Sequence, residues 1–112
     1  MSLIRKHRPT REPEYRDWLR RQRCCACDAP PPCDPSHHGE HGVGTKPPDW
    51  KAIPLCVECH RNRWHRSGAI PGVPTAQSER RAWCMRQARA HRKRYHAWRR
   101  LMGLARARAT FT

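Results

Sequence analysis

Two Cys-x₂-Cys pairs, Cys24/Cys27 and Cys56/Cys59, stand 28 residues apart in a chain of 112. Four thiolates in two such pairs are the donor set of a closed tetrahedral zinc site, because each tight turn aims two sulfurs at one ion. Within the first pair the assignment is open, since Cys25 and Cys33 also lie near. Cys84 falls on a helical apolar stripe and reads as a packed thiol. The run Cys56-Val57-Glu58-Cys59-His60 also matches the attachment motif of a c-type haem. That chemistry normally occurs outside the cytosol and would leave Cys24 and Cys27 without a task. A second group carries imidazole: His37, His38, His41, His60 and His65, five of eight histidines, lie within 29 residues. A purely structural four-cysteine site requires none of them. A doubled His followed by Cys-x₂-Cys-His points instead to a second, open metal site carrying chemistry.

The elements that must position these groups have little oil to work with. Val, Ile, Leu and Phe make up 12 of the 112 residues, and the net charge is +15. Such a chain stays disordered unless something besides apolar burial holds it. Structural zinc supplies roughly 10 kcal/mol or more of folding free energy, which is the scale required. No run of 18 apolar residues occurs, so no helix of the chain is expected to span a membrane. Met1–Arg8 is a basic tail (1–8) without the apolar core of a signal peptide. A cytoplasmic protein with reduced thiols is expected.

Residues 9–74 are expected to form an N-terminal helix plus the zinc-stapled module. Thr10 caps a helix to about Arg23, with Pro13 in its first turn and Tyr15, Trp18 and Leu19 on one face. From Cys24 to Pro74 the chain is rich in Pro and Gly. Trp50–Val57 reads as its one strand, with Ile53, Leu55 and Val57 alternating and Pro54 restricting it to an edge. Cys59 to about Arg66 reads as a short helix closed by Gly68. Residues 75–112 read as a long Arg-rich helix, beginning at Thr75 or Ser78 and ending near Ala109. Its stripe is Cys84, Ala88, His91, Tyr95, Trp98, Met102 and Ala105, and Gly103 is a point of kinking or shortening. The fold class is thus a small α+β zinc-stapled domain.

Charge identifies the partner. With 24 Lys+Arg against 9 Asp+Glu, mostly Arg, nucleic acid is favoured over an anionic membrane or an acidic protein. Between Glu79 and Arg108 stand 11 basic residues and one acid. Arg86, Arg89, Lys93 and Arg100 are the candidate phosphate contacts of that helix, which also has docking and dimerisation as alternative roles. Arg61, Arg63 and Arg66 are candidates near the histidines, either for transition-state charge or for backbone phosphate.

Taken together, Cys24-x₂-Cys27, His37-His38, Gly42-Val43-Gly44-Thr45-Lys46-Pro47-Pro48-Asp49 and Pro54-Leu55-Cys56-Val57-Glu58-Cys59-His60 resemble the HNH endonucleases. The similarity covers residues 24–68. It is greatest to small phage- and prophage-encoded members, and more distant to the recombinase-dependent phage nuclease Ref. The resemblance implies a ββα-metal finger, in which a β-hairpin carries the His pair and a helix starts near Cys59. It implies hydrolysis of DNA phosphodiester bonds, with His38 as general base and His37 and His60 as ligands of one divalent ion (Mg²⁺, Mn²⁺, Ni²⁺ or Zn²⁺). Asp49 or Lys51 occupies the region of the family's base-orienting Asn. A third ligand one α-turn after His60 falls on Trp64. His65 reaches the ion if the helix ends early, and Asn62 is the other candidate. The implied substrate is double-stranded DNA, with single-stranded or branched DNA as the alternative, and a phage or recombination protein as companion. The competing reading is a non-catalytic zinc ribbon that binds nucleic acid through its Arg-rich helix.

Overall fold

The computed structural model describes residues 10–38 and 46–110, with side chains as far as Gly103. The basic tail at 1–8, and His41 with the Gly42–Thr45 stretch, lie outside the described residues. Pro13 opens helix α1 (Pro13–Arg20). Its missing N–H is no loss in a first turn, whose backbone donors have no helical partner. Thr10 is not the cap. Glu12 holds that position without a side-chain capping bond, and its N–H donates to Asp49 Oδ2 at 2.6 Å. The helix also ends before Arg23, because the chain turns at Arg20, whose carbonyl accepts the Cys33 N–H at 3.0 Å. Tyr15, Trp18 and Leu19 form the expected buried face.

Strands β1 (Asp34–Ser36) and β2 (Ile53–Leu55) pair antiparallel, with Asp34 opposite Leu55, Pro35 opposite Pro54 and Ser36 opposite Ile53. Two facing prolines donate nothing to the ladder, which keeps it short. The strand expected over Trp50–Val57 therefore shrinks to three residues. Trp50 belongs to a 3₁₀ turn (Asp49–Lys51), and Ile53, Pro54 and Leu55 are all buried instead of alternating. The Pro54 carbonyl accepts the Cys25 N–H at 3.0 Å, so the first cysteine loop closes onto the sheet.

A π-helix (Glu58–Ser67) follows β2. It ends at Gly68, which takes the left-handed conformation at φ 72° that a side chain would resist. The Gly68 N–H donates at 2.6 Å to the carbonyl of Arg63, five residues back. Helix α2 (Gln77–Thr110) then runs unbroken through Gly103. Cys84, Ala88, His91 and Tyr95 of its stripe are buried, and Trp98 is half-buried. Beyond Trp98 the stripe is no longer covered, since Leu101 and Met102 are exposed. The side chain of Ala105 lies outside the described residues.

Two small cores result. One gathers Ile53, Leu55, Cys33, Ile70, Val73, Cys84 and Ala88, and the other Tyr15, Trp18, Leu19, Ala52 and Tyr95. Helix α2 contributes to both and ties them together. The architecture is a small α+β domain of one two-stranded sheet, α1, α2 and the π-helix. Among the described residues no helix is long and apolar enough to cross a membrane.

Candidate metal centre and histidine cleft

Four sulfurs converge where β2 runs into the π-helix. The Sγ atoms of Cys24, Cys27, Cys56 and Cys59 all lie within 4.8 Å of one another, and Cys27 Sγ is 3.6 Å from Cys56 Sγ. Sulfurs bound at about 2.3 Å to one tetrahedral zinc lie about 3.8 Å apart, so the donor set fits. The four thiols are placed to hold a metal such as zinc. Burial opposes ionisation of Cys24, but backbone groups of Cys56, Cys27 and Ala26 outweigh it and bring that thiol down to about 7. The Cys59 N–H donates to Cys56 Sγ at 3.4 Å, and Arg63 Nη1 donates to Cys59 Sγ at 3.5 Å.

The open assignment in the first loop is thereby closed. Cys25 and Cys33 pack against the core instead, where burial pushes Cys25 up and Cys33 up to about 12. Cys84 is buried as expected and is raised to about 11 by the same cause. Cys56 and Cys59 both belong to the four-sulfur cluster, which uses the pair that covalent haem would need. Among the described residues no other group of three or more His, Cys, Asp or Glu brings its ligand atoms that close.

An open cleft of about 720 Å³ collects the second set: Asp34, His37, Asp49, His60 and His65, with Arg11, Arg16, Lys46 and Arg61 around them. Asp49 is fully buried. Its Oδ2 accepts from the Glu12 N–H and from Arg16 Nη1, each at 2.6 Å, and its Oδ1 accepts from Arg11 Nη1 at 3.4 Å. Burial alone raises its pKa, but the Glu12 N–H, His37 and Arg16 outweigh burial and hold the carboxyl below its usual value. Facing an ionised carboxylate, His37 Nε2 is the protonated nitrogen and donates to Asp49 Oδ1 at 2.6 Å.

Asp49 therefore orients His37, and not the His38 expected from the sequence. His38 turns elsewhere. Its Nε2 is 2.7 Å from Ser36 Oγ, and its ring centroid is 4.3 Å from that of Trp64. Burial, then the positive fields of His60, His37, His65 and Arg80, lowers its pKa to about 4. His38 is not among the residues lining the cleft. Lys51 does not compete for the orienting role, since its ammonium lies over the Trp50 ring at 5.1 Å.

On the facing π-helix, His60 Nδ1 donates to Asp34 Oδ2 at 3.0 Å, and Arg61 Nε forms an ion pair with the same oxygen at 3.3 Å. A carboxylate on one imidazole nitrogen leaves Nε2 as the other nitrogen, the arrangement also found behind metal-binding histidines. The His65 ring centroid is 4.8 Å from that of His60. In an α-helix Trp64 would take that place; π winding, with bonds to the fifth residue, brings His65 there instead. Asn62 does not line the cleft, and its Nδ2 donates to Glu58 Oε2 at 2.7 Å. Arg63 is committed to the Cys59 sulfur, while Arg66 is exposed at the end of the π-helix. Arg86, Arg89, Lys93 and Arg100 lie exposed on α2, outside the cleft.

Asp34, Arg11 and Arg16 escaped the sequence analysis. Asp34 was readable as a carboxylate three residues before the His pair. Arg11 and Arg16 gave no local signal, because their place depends on how α1 docks against the 3₁₀ turn.

The fold and the four-sulfur cluster define a small α+β domain with four cysteines placed to hold a metal and a histidine cleft beside them. The chain belongs to the DUF968 family, described as proteins of unknown function, whose model matches residues 2–69. A relative from Escherichia coli (strain K12), the Uncharacterized protein YdfU, is 38% identical over 68 residues. That alignment covers 58% of this chain and 19% of the relative, so the chain spans about a fifth of that protein's length. No solved structure matches. The family match takes in α1, both strands and the π-helix, and it ends before α2 begins.

Proposed function

We propose that this chain is a metal-dependent DNA endonuclease of the HNH type, and that its cleft hydrolyses phosphodiester bonds. The observation that carries this reading is one basic cleft holding two imidazoles prepared for different work: His37 on buried Asp49, and His60 on Asp34. The antiparallel pair β1–β2 followed by the helix that carries His60 has the element order of a ββα-metal finger. The four-cysteine cluster staples that unit and takes no part in the chemistry.

In this reading His37 Nδ1 accepts the proton of the attacking water, and the Asp49 carboxylate stabilises the imidazolium that forms. The base role thus falls on His37, because His38 is turned inward and depressed in basicity. His60 and His65 would hold a divalent ion, with Asp34 fixing the ring of His60. When bound, such an ion supplies Lewis acidity to the scissile phosphate and the departing 3′ oxygen. Two imidazoles beside an open cleft leave room for substrate, which is the donor chemistry of a catalytic site. Imidazole favours Mn²⁺, Ni²⁺ or Zn²⁺ over Mg²⁺. Arg11, Lys46 and Arg61 supply positive field for the DNA backbone. Double-stranded DNA, a cytoplasmic setting, phage or prophage DNA processing and a recombination-type companion belong to the same proposal.

The test is cleavage of supercoiled plasmid by the zinc-loaded protein in Mg²⁺, Mn²⁺, Ni²⁺ or EDTA. Nicked or linear product with added metal and none with EDTA is the expected result. Failure on plasmid, single-stranded and branched DNA alike, with tight salt-sensitive binding retained, would favour the non-catalytic zinc ribbon.

A further inference from the structure

The residue after Asp49 faces a different feature. Trp50 and α2 enclose a pocket of about 310 Å³ lined by Trp50, Met85, Ala88, Arg89, Lys93 and His96. Its apolar surface is one indole, one thioether and one methyl, and no carboxylate lines it. Arg92 also borders it but is committed, 2.9 Å from Glu12 and stacked over the Tyr15 ring at 4.6 Å.

The basic residues of α2 from Arg86 to Arg100 fall into two sets. Arg92, Arg94 and Arg99 are paired with Glu12, Gln22 and Glu14 of the N-terminal segment. Arg86, Arg89, Lys93 and Arg100 are exposed and make no ion pair or hydrogen bond among the described residues. Their spacing of three, four and seven residues puts them on one face of the helix, over about 21 Å at 1.5 Å per residue. From Arg80 to Thr112 the sequence contains no Asp or Glu. Arg89 and Lys93 of this face line the pocket.

We propose that this pocket receives one unpaired nucleobase of a DNA strand, with the base against Trp50 and its flanking phosphates on Arg89 and Lys93. Arg86 and Arg100 continue the backbone track on either side. A duplex backbone needs cations but no pocket, because paired bases hide their faces. An unpaired base offers a π-face to an aromatic ring while its phosphates stay beside cations. The volume lies at the lower end of small-molecule sites, enough for one base and not a stack of several. Trp50 and Asp49 share the 3₁₀ turn, so strand recognition sits one residue from the group that holds His37. This deepens the proposed function and rests on its nucleic-acid component: the substrate is DNA with an unpaired segment beside the cut.

The test is fluorescence anisotropy on zinc-loaded full chain without added divalent metal, using a labelled 12-nucleotide single strand and a blunt duplex of the same sequence. Trp50→Ala is expected to weaken single-strand binding roughly 5- to 100-fold, with Trp50→Phe recovering much of it. Duplex binding should change by less than about twofold, since duplex contacts are to backbone. The exposed double variant Arg89→Gln/Lys93→Gln decides the matter if Trp50→Ala does not fold. It should reduce the single-strand salt slope by about 1.4, the share of two phosphates. Equal losses for both DNAs, or no loss for the single strand, overturn the proposal. Plasmid cleavage is read separately. Pocket-dependent single-strand binding without cleavage would sink the nuclease and keep this site, and the reverse pattern would sink this site alone.

Discussion

A histidine becomes a directed proton acceptor only when its other nitrogen is held, and Asp49 gives that hold to His37. The same carboxylate also receives Arg16, Arg11 and the Glu12 N–H, so its removal should be felt in stability as well as in chemistry. Asp49→Asn leaves a half-buried guanidinium without its anion and is expected to cost about 3 kcal/mol in urea unfolding. Because the folded pKa of Asp49 lies below 3.8, its contribution is complete above the unfolded value and fades as pH falls through the folded one. The variant should therefore show a flatter acid limb below about pH 4. His38 acts in the same direction at higher pH. Its folded pKa is about 4 against 6.5, so the unfolded chain takes the proton first as pH falls. Stability attributable to His38 should drop by up to about 3 kcal/mol between pH 6.5 and 4. His38→Leu should lose that part of the slope, measured as urea unfolding at several pH values. An unchanged slope would show that His38 is not shielded from solvent as its Ser36 and Trp64 contacts imply.

At the scale of elements, the cysteine spacing made the four-sulfur cluster readable, and Pro13 and Gly68 made two helix ends readable. The winding of the helix after Cys59 was not readable. Residue types place His60 and His65 five apart, but they do not announce π bonds, which arise only once Cys59 is anchored and Gly68 closes the turn. Nor did the sequence reveal that Asp49 would choose His37, because that choice depends on α1 docking across 37 residues to bring Glu12 to the carboxylate. The expected strand over Trp50–Val57 failed for a local reason, the pairing of Pro35 with Pro54. Sheet and π-helix hang from the same four sulfurs, and a two-stranded sheet is marginal by itself. Removing the metal with a strong chelator should withdraw roughly 10 kcal/mol or more and unfold the domain cooperatively. Loss of both far- and near-ultraviolet circular dichroism is the expected signature. A thermal transition unaffected by chelation would show that the cluster is not a staple.

Across the whole molecule, +15 of charge on a chain this small opposes compaction, and three devices counter it. The four-cysteine cluster fixes one end, Asp49 gathers charge from α1, and α2 spans two cores that are each too small to stand alone. Length, composition and charge forecast that need but not the division of labour along α2, where Arg92 and Arg99 neutralise acids and Arg89 and Lys93 remain available. The family match ends at residue 69, so the cleft and Trp50 belong to the shared part of the chain, and the α2 wall of the second pocket to the part beyond it. The central claim is that His37, held by Asp49, is the base of a metal-dependent nuclease. The most direct measurement compares plasmid nicking rates of the wild type, His37→Ala and His38→Ala at matched zinc content and saturating Mn²⁺. The account predicts a loss of about 10²- to 10⁴-fold for His37→Ala, the range of general-base removal, and a much smaller loss for His38→Ala in protein that remains folded. Full activity in His37→Ala, or a loss confined to His38→Ala, would contradict it.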